Sequence, residues 1–179
     1  MFESKDILRI IINKEDLNKK VTDIAQQISN DYKNKDLIII CVLNGAIFFC
    51  VDLVKKLTIP VEIDYISVSS YHGTSSLGEI NLIRDILIDI KDKDVLILED
   101  ILDTGITLTY LKEHILSKGP KSLKICSLLD KPSRRKKEVN LDYTGFIIDD
   151  IFIIGYGMDY NQKYRQLPYI AELKPEIYS

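Results

Sequence analysis

Glu99, Asp100 and Asp103 place three carboxylates within five residues, directly after the apolar run Val95–Leu98 and directly before Thr104-Gly105-Ile106-Thr107. Like charges at this spacing oppose one another's ionisation, so a cation or a cluster of ligand hydroxyls is the natural compensation. The residues that follow suit an anion: two threonine hydroxyls, a glycine that permits close backbone approach, and the unpaired N–H groups of a helix's first turn. Together they can hold a sugar, a divalent metal and a phosphate. An Asp-Thr-Gly turn alone would be an ordinary acidic strand end. The whole string of strand, paired acids, two apolar residues and DTGxT favours function.

Positioning these groups takes a strand, a turn and a helix. Val95–Leu98 has the Val, Ile and Leu content of a strand buried on both faces in a parallel sheet. Ligands of such sheets bind beyond the carboxyl ends of the strands. Asp103 or Thr104 is placed to cap a helix over Thr104–Ser117, which Leu108, Leu111 and Ile115 would anchor. Around this unit the pattern predicts an amphipathic helix over 14–32 with Asn13 and Asp16 as a capping pair, and a strand Leu37–Val42. A largely buried helix is expected over Gly45–Leu57, and a strand over Val61–Ser69 opened by Pro60. A polar loop (70–78), a hairpin-like strand region (79–90) and a strand Ser122–Leu129 come next. After the charged connection Lys131–Asn140 the pattern gives short strands at Phe146–Ile148 and Phe152–Ile154, then an irregular, Tyr-rich tail from Tyr156. Strands alternating with helices predict an α/β fold with a parallel sheet covered on both sides.

A chain of 179 residues is long enough for one domain with a sizeable core. Its 46% hydrophobic and 28% charged residues exclude a disordered chain, and a net charge of −3 argues against a nucleic-acid-binding domain. Arg134-Arg135-Lys136-Lys137 is one short basic run and reads as a solvated turn. Cys41, Cys50 and Cys126 are odd in number and lie in apolar surroundings, as buried free thiols of a reducing cytoplasm would. The N-terminus has no signal-peptide pattern, and the longest apolar stretch, Leu37–Val51, is too short to span a bilayer, so no membrane partner is expected. Neither GxxxxGK[ST] nor GxGxxG nor GxSxG occurs, and His72 and His114 lack a metal-ligand spacing.

Four further stretches carry chemistry. Leu43-Asn44-Gly45-Ala46 follows a buried strand, as an anion-binding turn would, although many βα turns contain glycine. Ser70-Tyr71 opens the polar loop. Lys131 stands just beyond a strand end. Phe152 to Asp159 sets an aromatic, a Gly-Tyr-Gly turn and an acid close together, and taken singly these would be a core aromatic and a turn residue.

Residues 95–108, VLILEDILDTGITL, resemble the phosphoribosyl diphosphate (PRPP) signature of the purine phosphoribosyltransferases in their hypoxanthine-guanine form. Residues 152–160, FIIGYGMDY, resemble that family's purine-site segment. The resemblance runs from about residue 7 to residue 173. It implies a type I phosphoribosyltransferase fold: one domain over 1–179, a core of about 14–130, and a small hood from the N-terminal segment and about 131–179. It implies transfer of phosphoribose from PRPP to hypoxanthine and guanine, giving the nucleoside monophosphate and pyrophosphate. Xanthine preference, or a PRPP-sensing RNA-binding regulator of the same fold, is the alternative.

The resemblance also assigns residues. Glu99, Asp100, Asp103, Thr104, Gly105, Ile106 and Thr107 would bind the ribose phosphate, with Asp103 the general base. Leu43, Asn44, Gly45 and Arg165 would meet pyrophosphate, although many relatives carry Lys or Arg where Asn44 stands. Ser70 and Tyr71 would form a lid. Lys131, Phe152, Ile153, Met158 and Asp159 would bind the purine, Lys131 at its 6-oxo group. Mg²⁺ would sit on Glu99, Asp100 and Asp159. A cytoplasmic homodimer or homotetramer is implied, acting on small molecules and on no nucleic acid.

Overall fold

Apolar runs decide where the strands fall, and the computed structural model describes residues 5–70 and 80–178. The chain begins with β1 (Ile7–Ile12), α1 (Lys14–Asp31), β2 (Leu37–Leu43), α2 (Ile47–Val54), β3 (Val61–Ser70) and β4 (Ile80–Arg84). It continues with β5 (Asp94–Leu102), α3 (Ile106–Leu116), β6 (Ser122–Asp130) and a 3-10 turn at Pro132–Arg134. It ends with β7 (Tyr143–Ile147), β8 (Ile153–Ile154), β9 (Ile170–Leu173) and the single turn α4 (Pro175–Tyr178).

The main sheet has the order β4-β3-β2-β5-β6-β7, with only β4 antiparallel to its neighbour. β2 shows why an unbroken apolar run suits its centre. Leu37, Ile39 and Cys41 enter the core under α1 and α2, while Ile38, Ile40 and Val42 enter the core under α3. β2 passes through α2 to β3 on one side, and β5 passes through α3 to β6 on the other. The winding therefore reverses between β2 and β5, and the crevice at their carboxyl ends is the ligand position of a doubly wound sheet.

A second, antiparallel sheet, β1-β9-β8, stands beside the first around Ile154, Leu167, Ala171 and Leu173. β1 is a strand that the sequence pattern did not single out, and the tail expected to be irregular supplies its partner, β9. Residues 143–147, within the span expected for the hood, are instead the sixth strand of the main sheet.

Asn13 caps α1 as expected, its side chain accepting from Asp16 N at 2.8 Å. α2 departs from expectation: Phe49, Cys50 and Leu53 are buried, but Ile47, Phe48 and Val51 are each about 40% exposed. Beyond β4 the chain is irregular, and buried Asp64 of β3 holds it by accepting from Leu87 N and Ile88 N. The three cysteines are free and buried. No helix among the described residues is long and apolar enough to cross a membrane.

Candidate active site

β5 runs four residues past Leu98, so the sheet itself carries Glu99 and Asp100 to the crevice. Glu99 is only 6% exposed. Burial, and then the negative charge of Asp100, push its carboxyl well above the usual range. Glu99 Oε1 accepts from Asp100 N at 3.1 Å, and Asp100 Oδ1 from Ile101 N at 3.0 Å, which fixes both side chains to the strand end. Across the crevice, Gly45 comes so close that a Cβ there would lie 1.8 Å from Asp100 Oδ2. The Leu43–Asn44 peptide bond beside it is cis. These groups line a cleft of about 470 Å³. A second cleft of the same volume, around Lys14, Asp52 and Lys55, shares no lining residue with it and holds no strand-end carboxylate.

The turn after β5 corrects one expectation. Neither Asp103 nor Thr104 makes the N-cap bond of α3. Gly105 is the N-cap, with φ +81°, and has no side chain to cap with; Ile106 N donates instead to Thr104 Oγ1 at 3.4 Å. Past Ile106 the first-turn N–H groups keep their donor capacity, which suits an anion. Gly105 is also sterically required, since a Cβ would lie 2.1 Å from the Lys137 carbonyl oxygen.

The expectation of a solvated turn at 134–137 holds for Arg134, Lys136 and Lys137, which are exposed, and fails at Arg135. The Arg135 side chain is only 11% exposed; it donates to the Leu102 and Asp103 carbonyls at 3.1 and 2.5 Å, and pairs with Asp130. Lys136 N and Lys137 N both donate to Thr104 O, at 2.9 and 3.0 Å. Arg135 and the backbone of Lys136 and Lys137 thus back the turn that follows β5. A run of four cations carries no local sign that one of them is taken in, because the partners of Arg135 are strand-end oxygens brought in by the fold.

A smaller cleft, about 320 Å³, adjoins the first and is lined by Asp103, Lys131, Arg134, Phe152, Ile153 and Tyr178 among others. Lys131 is 5% exposed, and its Nζ donates to Ile151 O at 2.8 Å. Phe152 stacks on Tyr178, with ring centroids 4.6 Å apart and an interplanar angle of 22°, and meets Tyr160 edge-on. Tyr178 was not singled out from the sequence; only its aromatic character within the Tyr-rich tail pointed to it.

The structure brings Leu43, Gly45, Glu99, Asp100, Asp103, Thr104, Gly105 and Thr107 into the larger cleft, and Asp103, Lys131, Phe152 and Ile153 into the smaller. Ile106 begins α3, and Asn44 is exposed beside Gly45. Met158 lines neither cleft; it is buried in the core that α1 and α2 share. Asp159 and Arg165 face each other at 2.8 Å, and Arg165 also donates to Gly157 O at 2.7 Å. Neither lines the two clefts; the chain just before Asp159 leans on the larger one through Gly157, where a Cβ would lie 1.9 Å from Gly45 O. Ser70 ends β3 and its side chain lies outside the described parts, as does Tyr71 altogether.

Among the described residues no three acidic, histidine or cysteine side chains converge on one point. What the cleft offers a metal is a pair of hard carboxylate donors, one buried and charge-crowded. That suits Mg²⁺, which takes one or two carboxylates and completes its shell with substrate oxygens.

Comparison with known proteins gives a consistent picture. The family profile "Phosphoribosyl transferase domain" matches residues 11–161. The chain is 44% identical over 175 residues to the hypoxanthine-guanine phosphoribosyltransferase of Staphylococcus aureus strain Mu50, covering 97% of this chain and 98% of that one. It is 42% identical to part of the Listeria monocytogenes bifunctional protein TilS/HprT and spans 27% of that relative's length. A solved hypoxanthine phosphoribosyltransferase from S. aureus superposes with a TM-score of 0.93 at 44% identity, over 97% of this chain and 95% of that chain.

Proposed function

This chain belongs to the phosphoribosyl transferase family, and from that premise we propose that it serves purine salvage by moving the 5-phosphoribosyl group of PRPP onto hypoxanthine and guanine. The products are IMP or GMP and pyrophosphate. The observation that carries the reading is the meeting of the two clefts at Asp103: a carboxylate and phosphate-turn cleft on one side, an aromatic and lysine cleft on the other. Relatives named for the same reaction, at 44% identity along nearly the whole chain, support it.

In this reading residues 103–107 hold the 5′-phosphate through the first turn of α3. Glu99 and Asp100 hold the ribose hydroxyls and stabilise the positive charge that develops at the anomeric carbon. Leu43, Asn44 and Gly45 present backbone to the pyrophosphate, and Arg165 is its cationic partner. Phe152 and Tyr178 give the base a flat apolar wall. Lys131 donates to the 6-oxo group, which disfavours adenine, and Ile153 meets the base edge through its backbone. Asp103 accepts the proton that leaves the purine ring nitrogen. Ser70 and Tyr71 open a lid that excludes water from the reactive sugar. Glu99, Asp100 and Asp159 are the carboxylates for Mg²⁺, whose chemistry when bound is to neutralise pyrophosphate and improve it as a leaving group. The whole chain is one such domain with β1-β9-β8 in its hood. A cytoplasmic homodimer or homotetramer belongs to the same proposal.

The test is ultraviolet absorbance of the protein with PRPP and Mg²⁺, offered hypoxanthine, guanine, xanthine and adenine in turn. Turnover of the first two with little from adenine is expected. No turnover with any base, while PRPP binds, would overturn the reading.

A further inference from the structure

Among the described residues, Asp103 and Arg134 line both clefts. Arg134 Nε stands 3.3 Å from Asp103 Oδ1, and its Nη1 stands 3.6 Å from Asp150 Oδ1, which in turn lies 3.8 Å from Lys131 Nζ. Asp103 Oδ1 is shut off from solvent and accepts no hydrogen bond. The side chain as a whole is nevertheless 37% exposed, so its open part lies away from Oδ1.

We propose that Arg134 is a positioning residue of the transfer reaction: it holds Asp103 Oδ1 so that Oδ2 is presented to the purine. The inference rests on the reading of Asp103 as the base. In the step it serves, the purine N9 lone pair forms the bond to the anomeric carbon. The bond from that carbon to pyrophosphate breaks, and its electron pair leaves with pyrophosphate. The N7 proton passes to Asp103 Oδ2. Arg134 touches neither the proton nor the sugar; it sets where the accepting oxygen lies. A planar fork on a turn stiffened by Pro132 suits that work, since it reaches two carboxylates at once. A purely structural role is a poor alternative, because the Arg134 side chain is 49% exposed and ion pairs at such exposure add little stability.

The experiment is steady-state IMP formation by R134A and R134K, with thermal midpoints measured alongside. R134A is expected to lose about 10- to 100-fold in kcat, as misplacement of a reacting group by a fraction of an ångström to an ångström does. The KM for PRPP and for hypoxanthine should stay within about threefold, and R134K should recover part of the loss. If R134A loses its fold, R134Q keeps most of the side-chain length and should show the same fall in kcat. In a D103N background the R134A loss should vanish, since both changes act on one oxygen. Unchanged kcat, a loss confined to either KM, or full additivity with D103N would overturn the inference. Inactivity of the unaltered protein toward every base would instead overturn the functional reading.

Discussion

Gly45→Ala tests the site with a single methyl group. Gly45 lies outside the left-handed region, so its backbone accepts alanine without strain. The new Cβ would stand 1.8 Å from Asp100 Oδ2, where real contacts stay beyond 3.0 Å, so the carboxylate must retreat by about 1.2 Å. That movement pulls Asp100 off Ile101 N, its 3.0 Å donor, at the point where the cleft would meet ribose and metal. A misplacement of about 1 Å in a reacting site costs on the order of 10²-fold, or about 2.7 kcal/mol of barrier. The alteration touches no core contact, so the thermal midpoint should shift by no more than about 4 °C, the equivalent of about 1 kcal/mol. Initial rates of IMP formation, read beside a circular-dichroism melt, decide the matter. Turnover within about threefold of the unaltered protein, with the fold intact, would refute the view that Asp100 works from its observed position.

Arg135→Ala removes the donors to Leu102 and Asp103 carbonyls and leaves Asp130 unpaired and mostly buried; a loss of about 3 kcal/mol is expected in urea unfolding. The same variant should raise the KM for PRPP, because its carbonyl partners lead into the turn proposed to hold the 5′-phosphate. Lys131→Ala should raise the KM for hypoxanthine about 10- to 100-fold, the value of a hydrogen bond from a charged donor, while the KM for PRPP holds. Asp85 gives a pH dependence: burial pushes its carboxyl up, but Lys118 and His114 outweigh that and bring it down to about 2. A carboxyl depressed in the folded state stabilises above its unfolded value of about 3.9. The urea midpoint should therefore fall as pH drops from about 4 toward 2, and Asp85→Asn should flatten that fall.

Periodicity made the central strands legible and concealed the peripheral ones. β2 and β5 are continuous apolar runs, and a buried parallel strand is what such runs form. Glu99, Asp100, Asp103 and Gly105 could be placed because strand, turn and helix adjoin in the chain, so local order is also spatial order. β1 and β9 pair Ile7 with Leu173 and Ile12 with Ile170. Neither segment signals its partner, since the pairing spans nearly the whole chain. Arg135 is hidden for the same reason: composition marks a cation as solvated, while three oxygen acceptors at the ends of β5 and β6 take it into the interior. The helix cap at Gly105 was hidden by propensity, which favours the neighbouring Asp and Thr. The actual constraint is the Lys137 carbonyl pressed against that glycine. Met158 has the spacing of a base-covering side chain, yet the Gly155–Met158 turn delivers it to the core.

Phosphorus NMR of PRPP with this protein and Mg²⁺, recorded with and without hypoxanthine and repeated with Asp103→Asn, follows the transfer itself. PRPP signals should give way to pyrophosphate and nucleotide in equal amounts, and only when base is present. Asp103→Asn should slow this by about 10²- to 10⁴-fold. PRPP left intact beside hypoxanthine and guanine, or Asp103→Asn turning over at the full rate, would contradict transfer to the purine with Asp103 as its base.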